Sequence, residues 1–248
     1  MLFRSLRARG YTVRALEKVG HDPRFPVTSN WPHLVQQLGE FAQAEISAHG
    51  APAYLVGHSM GGFLSLMAAA RFPQLARGVV LLDSPVLGGW RANALALVKH
   101  SGLMGTFSPS AVSAKRRQHW ASEEEALAHF QRKKAFALWD PQVLQDYIAH
   151  GTIEQDGQRA LSFDRKVESA IYNTIPHNLD HWLRTHPLRC PVAFIGGTES
   201  EEMKQVGMAM THKLAKERIS LLAGTHLFPM EAPLETAAAI DAAIRQIA

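Results

Sequence analysis

Apolar positions along the chain fall into two rhythms, and their succession predicts helices and strands in turn. Leu2, Phe3 and Leu6 recur at helical spacing, and Gly10 offers a stop after a helix over residues 2–9. Tyr11-Thr12-Val13-Arg14-Ala15-Leu16 reads as a short strand, and the Gly, His, Pro and Asp content of residues 17–30 reads as a loop. A helical pattern resumes over residues 31–49, and Ala53-Tyr54-Leu55-Val56 is a buried-strand run. The Ala, Leu and Met content of residues 60–71 predicts a buried helix, which Phe72-Pro73 breaks before the strand Gly78-Val79-Val80-Leu81-Leu82-Asp83.

From Ser84 to about Arg189 the rhythm becomes mostly helical, with Trp90, Trp120, Trp139 and Trp182 scattered through it. Alternation returns with Pro191-Val192-Ala193-Phe194-Ile195 and Ile219-Ser220-Leu221-Leu222, and residues 231–248 form an amphipathic helical pattern. Strand–helix alternation on both sides of a helical stretch predicts an α/β fold: a mostly parallel sheet flanked by helices. Residues 1–85 and 190–248 would form the core, with 86–189 inserted as a helical cap after the strand ending at Asp83. Active sites in such sheets lie at the C-terminal ends of strands.

A chain of 248 residues with 46% hydrophobic content can bury a sizeable core. The net charge of +4, spread over 26 basic and 22 acidic side chains, gives no reason to expect nucleic acid or an anionic membrane as partner. Lys115-Arg116-Arg117 and Arg132-Lys133-Lys134, interleaved with Glu123, Glu124 and Glu125, read as solvated helix faces. The lone Cys190 cannot form an intramolecular disulfide and reads as a packing residue, which favours a reducing compartment. No apolar run is long enough for a membrane span and the first residues lack a signal peptide, so the expected location is cytoplasmic.

The chemistry begins at Gly57-His58-Ser59-Met60-Gly61-Gly62. G-x-S-x-G between a strand and a helix places the serine on a sharp turn that lifts its hydroxyl above the sheet edge. The backbone there is strained, and glycines at Gly57 and Gly61 leave room for the helix and the neighbouring strand. Gly62 adds clearance. His58, in the variable position, reads as a residue packed beneath the site.

These residues resemble the α/β-hydrolase family, in which Gly-His-Ser-Met-Gly-Gly is a frequent nucleophile elbow and the chain order is serine, acid, histidine. The resemblance implies a serine hydrolase with Ser59 as nucleophile and with Met60 as a backbone donor to the oxyanion hole. His226, in Gly224-Thr225-His226-Leu227-Phe228-Pro229 after the strand at 219–222, resembles the family's base-bearing loop and would take the serine proton. His21, His177 and His181 are poorer candidates that could at most face the substrate.

Two positions compete for the acid that orients the imidazole. Glu199, in Ile195-Gly196-Gly197-Thr198-Glu199-Ser200, falls where the family commonly places Asp, and it is preferred. Asp83, one strand earlier, matches a less common placement and is the alternative. Glu201 and Glu202 read as solvated neighbours of Glu199.

The family's His-Gly oxyanion loop and the strand before it have no counterpart ahead of the first helix. The resemblance places that strand between Tyr11–Leu16 and Ala53–Val56. The expectation that follows is that Met1 is an internal methionine of a longer reading frame.

The reaction implied is cleavage of a carboxylic ester, thioester or lactone of a small molecule through an acyl-enzyme on Ser59. The alternatives are a non-catalytic hydrolase-like binding protein, which the absent loop suggests, and a carbon–carbon bond hydrolase of the same fold. Serine at the elbow argues against a haloalkane dehalogenase, which uses Asp there. No cofactor and no metal are called for, because neither ligand spacing nor a phosphate-cradling glycine loop is evident.

Overall fold

Side chains alternate between the two faces of a strand, so a strand that is apolar at consecutive positions must be covered on both sides. Strand β2 (Ala76–Leu82) and strand β6 (Val192–Gly197) are of this kind in the computed structural model, which describes residues 1–86, 88, 113 and 115–248. They pair in parallel, with Val79 opposite Val192 and Leu82 opposite Ile195. Val79, Leu81, Val192 and Phe194 point to one face and join Trp31, Leu34, Leu66 and Met67 in one buried cluster. Val80, Leu82, Ala193 and Ile195 point to the other and join Leu6, Phe228, Ile240 and Ile244.

The main sheet is completed by β1 (Ala53–His58) and β7 (Ile219–Leu222), in the order β1-β2-β6-β7 with every pair parallel. Helices α2 (Pro32–His49) and α3 (Met60–Arg71) cover the first face. Pro32 sits in the first turn of α2, where a missing N–H costs nothing, and Gly50 closes the helix in a left-handed conformation with φ 78°. Trp31, fully buried before α2, donates its indole N–H to the Ile171 carbonyl at 3.2 Å and to Thr174 Oγ1 at 3.0 Å. Helices α1 (Leu2–Ala8) and α11 (Pro233–Ile247) cover the opposite face.

Residues 11–16, expected as a strand, run without a ladder partner. A strand exists only where a neighbour accepts its hydrogen bonds, and among the described residues the sheet ends at β1, which pairs with β2 alone. Tyr11 is instead held by its hydroxyl, which donates to Asp241 Oδ1 of α11 at 2.6 Å, and it packs with Val13 on the second cluster.

The segment between β2 and β6 is not purely helical. Strands β3 (His119–Trp120), β4 (Thr152–Gln155) and β5 (Gln158–Leu161) form an antiparallel sheet in the order β3-β5-β4. It packs with α4 (Glu123–Gln131) and α5 (Pro141–Gly151) around Trp120, Phe130, Leu144 and Ile148. Both helices start on side-chain caps: Ser122 accepts from Glu125 N at 3.2 Å and Asp140 from Gln142 N at 2.8 Å. Helices α6 (Arg165–Asn173) and α7 (Leu179–Thr185) contribute Ile171 and Leu179 to the cluster built on the main sheet. Arg116 and Arg117, read as part of a solvated helix face, lie outside any helix just before β3, where Arg116 pairs with Glu168 at 3.0 Å and Arg117 with Glu125 at 2.7 Å.

Phe194 is fully buried at the centre of the sheet. Phe194→Ala should therefore lower unfolding stability by about 3–5 kcal/mol, the usual cost of emptying an aromatic site in a packed core, read by urea denaturation.

Candidate active site

β1 runs directly into α3, and Ser59 occupies the turn between them with φ 51° and ψ −117°, a left-sided conformation that a non-glycine residue adopts only when its surroundings enforce it. The Ser59 N–H donates to the Leu82 carbonyl at 3.0 Å, carrying the β1–β2 pairing to the tip of the turn. The Ser59 carbonyl accepts from Gly62 N at 3.0 Å, Phe63 N at 3.3 Å and Ser84 Oγ at 2.9 Å. The serine is thus fixed from both strands and from the helix it begins.

The glycines divide differently from the expectation. A methyl group at Gly57 would collide with the Gly61 carbonyl, and one at Gly62 with the Ser84 hydroxyl, so both positions need glycine. One at Gly61 would meet nothing within 4 Å among the described residues.

His226 lies in the loop after β7, beside a short helix α10 (Phe228–Glu231). Glu231 holds this loop: one carboxylate oxygen accepts from Thr225 N at 2.9 Å and the other from the Thr225 hydroxyl. His58, next to Ser59, binds the loop from the opposite side. Its Nε2 lies 2.8 Å from the His226 carbonyl, an acceptor only, so Nε2 carries the proton. The two imidazole centroids are 4.7 Å apart. Burial first, and the neighbouring His226 second, push the His58 pKa down from 6.5 to about 4, so the ring is neutral.

The carboxylate that meets His226 is Asp83. Its Oδ2 lies 2.6 Å from His226 Nδ1. Because β2 and β6 are neighbours, the residue following β2 arrives beside the end of β6, and Asp83 Oδ1 accepts from Gly197 N at 2.9 Å. Oδ2 also accepts from the Ser200 hydroxyl at 2.6 Å. Asp83 is buried, with φ 43°, so its backbone too is held in an unusual conformation.

Glu199, the preferred acid from sequence, is exposed, and its backbone N–H donates to the Gly224 carbonyl at 2.9 Å. The turn after β6 carries Glu199 outward and directs Ser200, not a carboxylate, toward the imidazole side. Glu202, read as solvated, keeps its side chain about half exposed and also places Oε2 3.7 Å from His226 Nδ1. His21 serves the fold: Asp164 N donates to its Nε2 at 3.0 Å and its Nδ1 meets the Val19 carbonyl at 3.1 Å. His177 is tied through its backbone N–H to Asn30 Oδ1 at 3.0 Å, and His181 is exposed.

One atom each from Asp83, Glu202 and His226 lie within 4.8 Å of one another, the only grouping among the described residues that could hold a metal ion. The 2.6 Å separation of Nδ1 and Oδ2 is a hydrogen bond. Tetrahedral ligands at ~2.0–2.2 Å from an ion would stand ~3.3–3.6 Å apart, wider than this pair.

A buried carboxylate on a loop histidine beside a serine elbow is a hydrolase arrangement. The sequence matches the Alpha/beta hydrolase family over residues 1–239. The chain belongs to the α/β-hydrolase family. Its fold is the α/β-hydrolase fold, and the protein is a hydrolase. No curated protein matches this α/β-hydrolase by sequence. Among solved structures, E-2-(acetamidomethylene)succinate hydrolase is similar at 20% identity and TM-score 0.69, over 92% of this chain and 78% of that one. The peroxisomal α/β-hydrolase Lpx1 of Saccharomyces cerevisiae is similar at 19% identity and TM-score 0.66, over 89% of this chain and 61% of its own. The thioesterase domain from the curacin biosynthetic pathway gives 16% and 0.59, over 89% and 74%.

Three residues that support the hydrolase site were not singled out from sequence: Ser84, Ser200 and Glu231. Only Ser200 carried a readable signal, because Ser followed by Glu residues is a helix-capping pattern. It caps α8 (Glu201–Val206), accepting from Met203 N at 3.1 Å.

Since only Gly62 of the two helical glycines is crowded, Gly61→Ala should leave thermal stability unchanged or raise it by up to ~1 kcal/mol, whereas Gly62→Ala should lower it; melting curves separate the two. Unfolded, His58 takes up a proton near pH 6.5, while the folded protein keeps it off until about pH 4. Stability should therefore fall as the pH drops through that window, by up to about 3 kcal/mol. Urea titrations of wild type and His58→Gln at pH 7 and pH 5 measure it, with the variant losing less.

Proposed function

We propose that this hydrolase cleaves a carboxylic ester, thioester or lactone of a small molecule through an acyl-enzyme on Ser59. The observation that carries the reading is the 2.6 Å contact between His226 Nδ1 and the buried Asp83 carboxylate, in a loop bonded to His58 beside the serine. A carboxylate on Nδ1 fixes the tautomer that leaves Nε2 free to take a proton, and it stabilises the imidazolium that results.

In this reading Nε2 of His226 removes the Ser59 proton as Oγ attacks the acyl carbon. The carbonyl π electrons move onto oxygen, and the imidazolium then returns its proton to the departing alcohol or thiol. Water repeats the sequence on the acyl-enzyme and releases the acid. Met60, the first residue of α3, supplies one N–H to the oxyanion, since first-turn amides have no intrahelical acceptor. Asp83, not Glu199, is the acid of this proposal.

The segment between β2 and β6 would cap the site and select the substrate. The similarity to a thioesterase domain and to a succinate-derivative hydrolase supports acyl or related hydrolytic chemistry. Among the described residues no helix is long and apolar enough to cross a membrane. The lone Cys190 is half-buried, and burial raises its thiol pKa.

A fluorophosphonate probe should label the wild type and not Ser59→Ala, and absence of labelling on the wild type would overturn the reading. On acyl esters of graded chain length, Asp83→Asn should lower turnover by two to four orders of magnitude, where roughly 10⁴ is the loss known for a comparable acid. Glu199→Gln should stay within about threefold of wild type, as an exposed side chain without a role in the proton transfer would.

A further inference from the structure

His226 faces two carboxylates, and the chemistry proposed above uses one. Nδ1 has a single proton, and Asp83 Oδ2 at 2.6 Å accepts it. Glu202 Oε2, at 3.7 Å from the same nitrogen, is too distant for a hydrogen bond yet well within the range of charge attraction. Glu202 is 46% exposed, and this ion pair is its only one among the described residues. Its neighbour Glu201, in contrast, pairs with Lys204 at 2.6 Å.

The position of Glu202 is set by the same atom that orients Asp83. Ser200 Oγ donates to Asp83 Oδ2 and accepts from Met203 N, so the first turn of α8 is pinned to the buried carboxylate and Glu202 is carried to the edge of the imidazole. The other titratable groups facing His226 are already engaged. His58, from β1, is neutral and donates to the His226 carbonyl, and Glu231, in the histidine's own loop, is taken up by Thr225.

We propose that Glu202 is a second carboxylate for His226: a solvent-facing positioning residue that stabilises the charged imidazolium beside Asp83 and accepts the Nδ1 proton when Asp83 can no longer do so. The inference rests on the serine-hydrolase reading for its catalytic consequence, but its electrostatic core concerns His226 alone. Moving Oε2 from 3.7 Å into hydrogen-bond range takes about 1 Å, small for a half-exposed side chain with free rotamers. Asp83 is buried, so its contribution is little affected by salt, whereas that of the half-exposed Glu202 is partly screened.

The direct test is an NMR titration of His226 in protein labelled at histidine, for wild type, Glu202→Gln and Glu202→Asp. Circular dichroism checks that the surface variants fold. Glu202→Gln should lower the His226 midpoint at low salt, with a smaller change in 1 M NaCl, and Glu202→Asp should restore part of it. An unchanged midpoint in Glu202→Gln overturns the proposal whether or not the enzyme turns over.

Kinetics with p-nitrophenyl acetate supply the second arm. Glu202→Gln should lower kcat about three- to tenfold with KM unchanged and shift the acid limb of kcat/KM to lower pH. Asp83→Asn/Glu202→Gln should be at least about tenfold slower than Asp83→Asn alone, as expected for two residues serving one group. A double variant equal to Asp83→Asn overturns the takeover role. Failure of the wild type to react at Ser59 would overturn the hydrolase reading while leaving the NMR result to stand for Glu202 by itself.

Discussion

The Asp83 carboxylate has no exposed surface, and a buried carboxylate is tolerated only where its charge is met by donors. Three are supplied: Gly197 N–H from the end of β6, Ser200 O–H from the start of α8, and His226 Nδ1 from the loop after β7. One charged group therefore ties the end of β2 to the turn after β6 and to the loop after β7. Remove the charge, and the turn and the loop keep donors aimed at a site that no longer attracts them. The positions of His226 and, through Ser200, of Glu202 follow from this one anchor.

The strands of the sheet centre were legible because a parallel strand covered on both faces must be apolar at consecutive positions, as Val79–Leu82 and Val192–Ile195 are. The elbow was legible because its steric demands are local. Tyr11–Leu16 was misread, since its β-branched and aromatic residues signal a strand but a strand also needs a partner. The identity of the carboxylate at His226 was misread for a related reason. Asp83 and Ser200 are 117 positions apart, and only the adjacency of β2 and β6 brings them together. Ser200 caps α8, which is a local signal, but that Asp83 lies beside it follows only from the pairing of β2 with β6.

The segment between β2 and β6 has its own small core around Trp120 and Phe130, yet it is not independent of the site. The Asp140 N–H donates to the Met230 carbonyl at 2.9 Å, joining the start of α5 to the helical turn that follows His226. Ile171 and Leu179 extend the same segment into the core beneath the sheet. Substrate contacts made by this segment would thus be registered against the histidine loop through a direct backbone bond.

The hydrogen bonds at Ser200 run in one direction. Met203 N–H donates to Ser200 Oγ, whose own proton goes to Asp83 Oδ2, which also receives the imidazole proton. Successive bonds of this kind polarise one another, and here the chain begins at the positive end of a helix. Ser200 therefore links the first turn of α8 to the buried carboxylate through its hydroxyl. Alanine in its place would leave the Met203 N–H and one acceptor site of the buried Asp83 carboxylate without this shared partner.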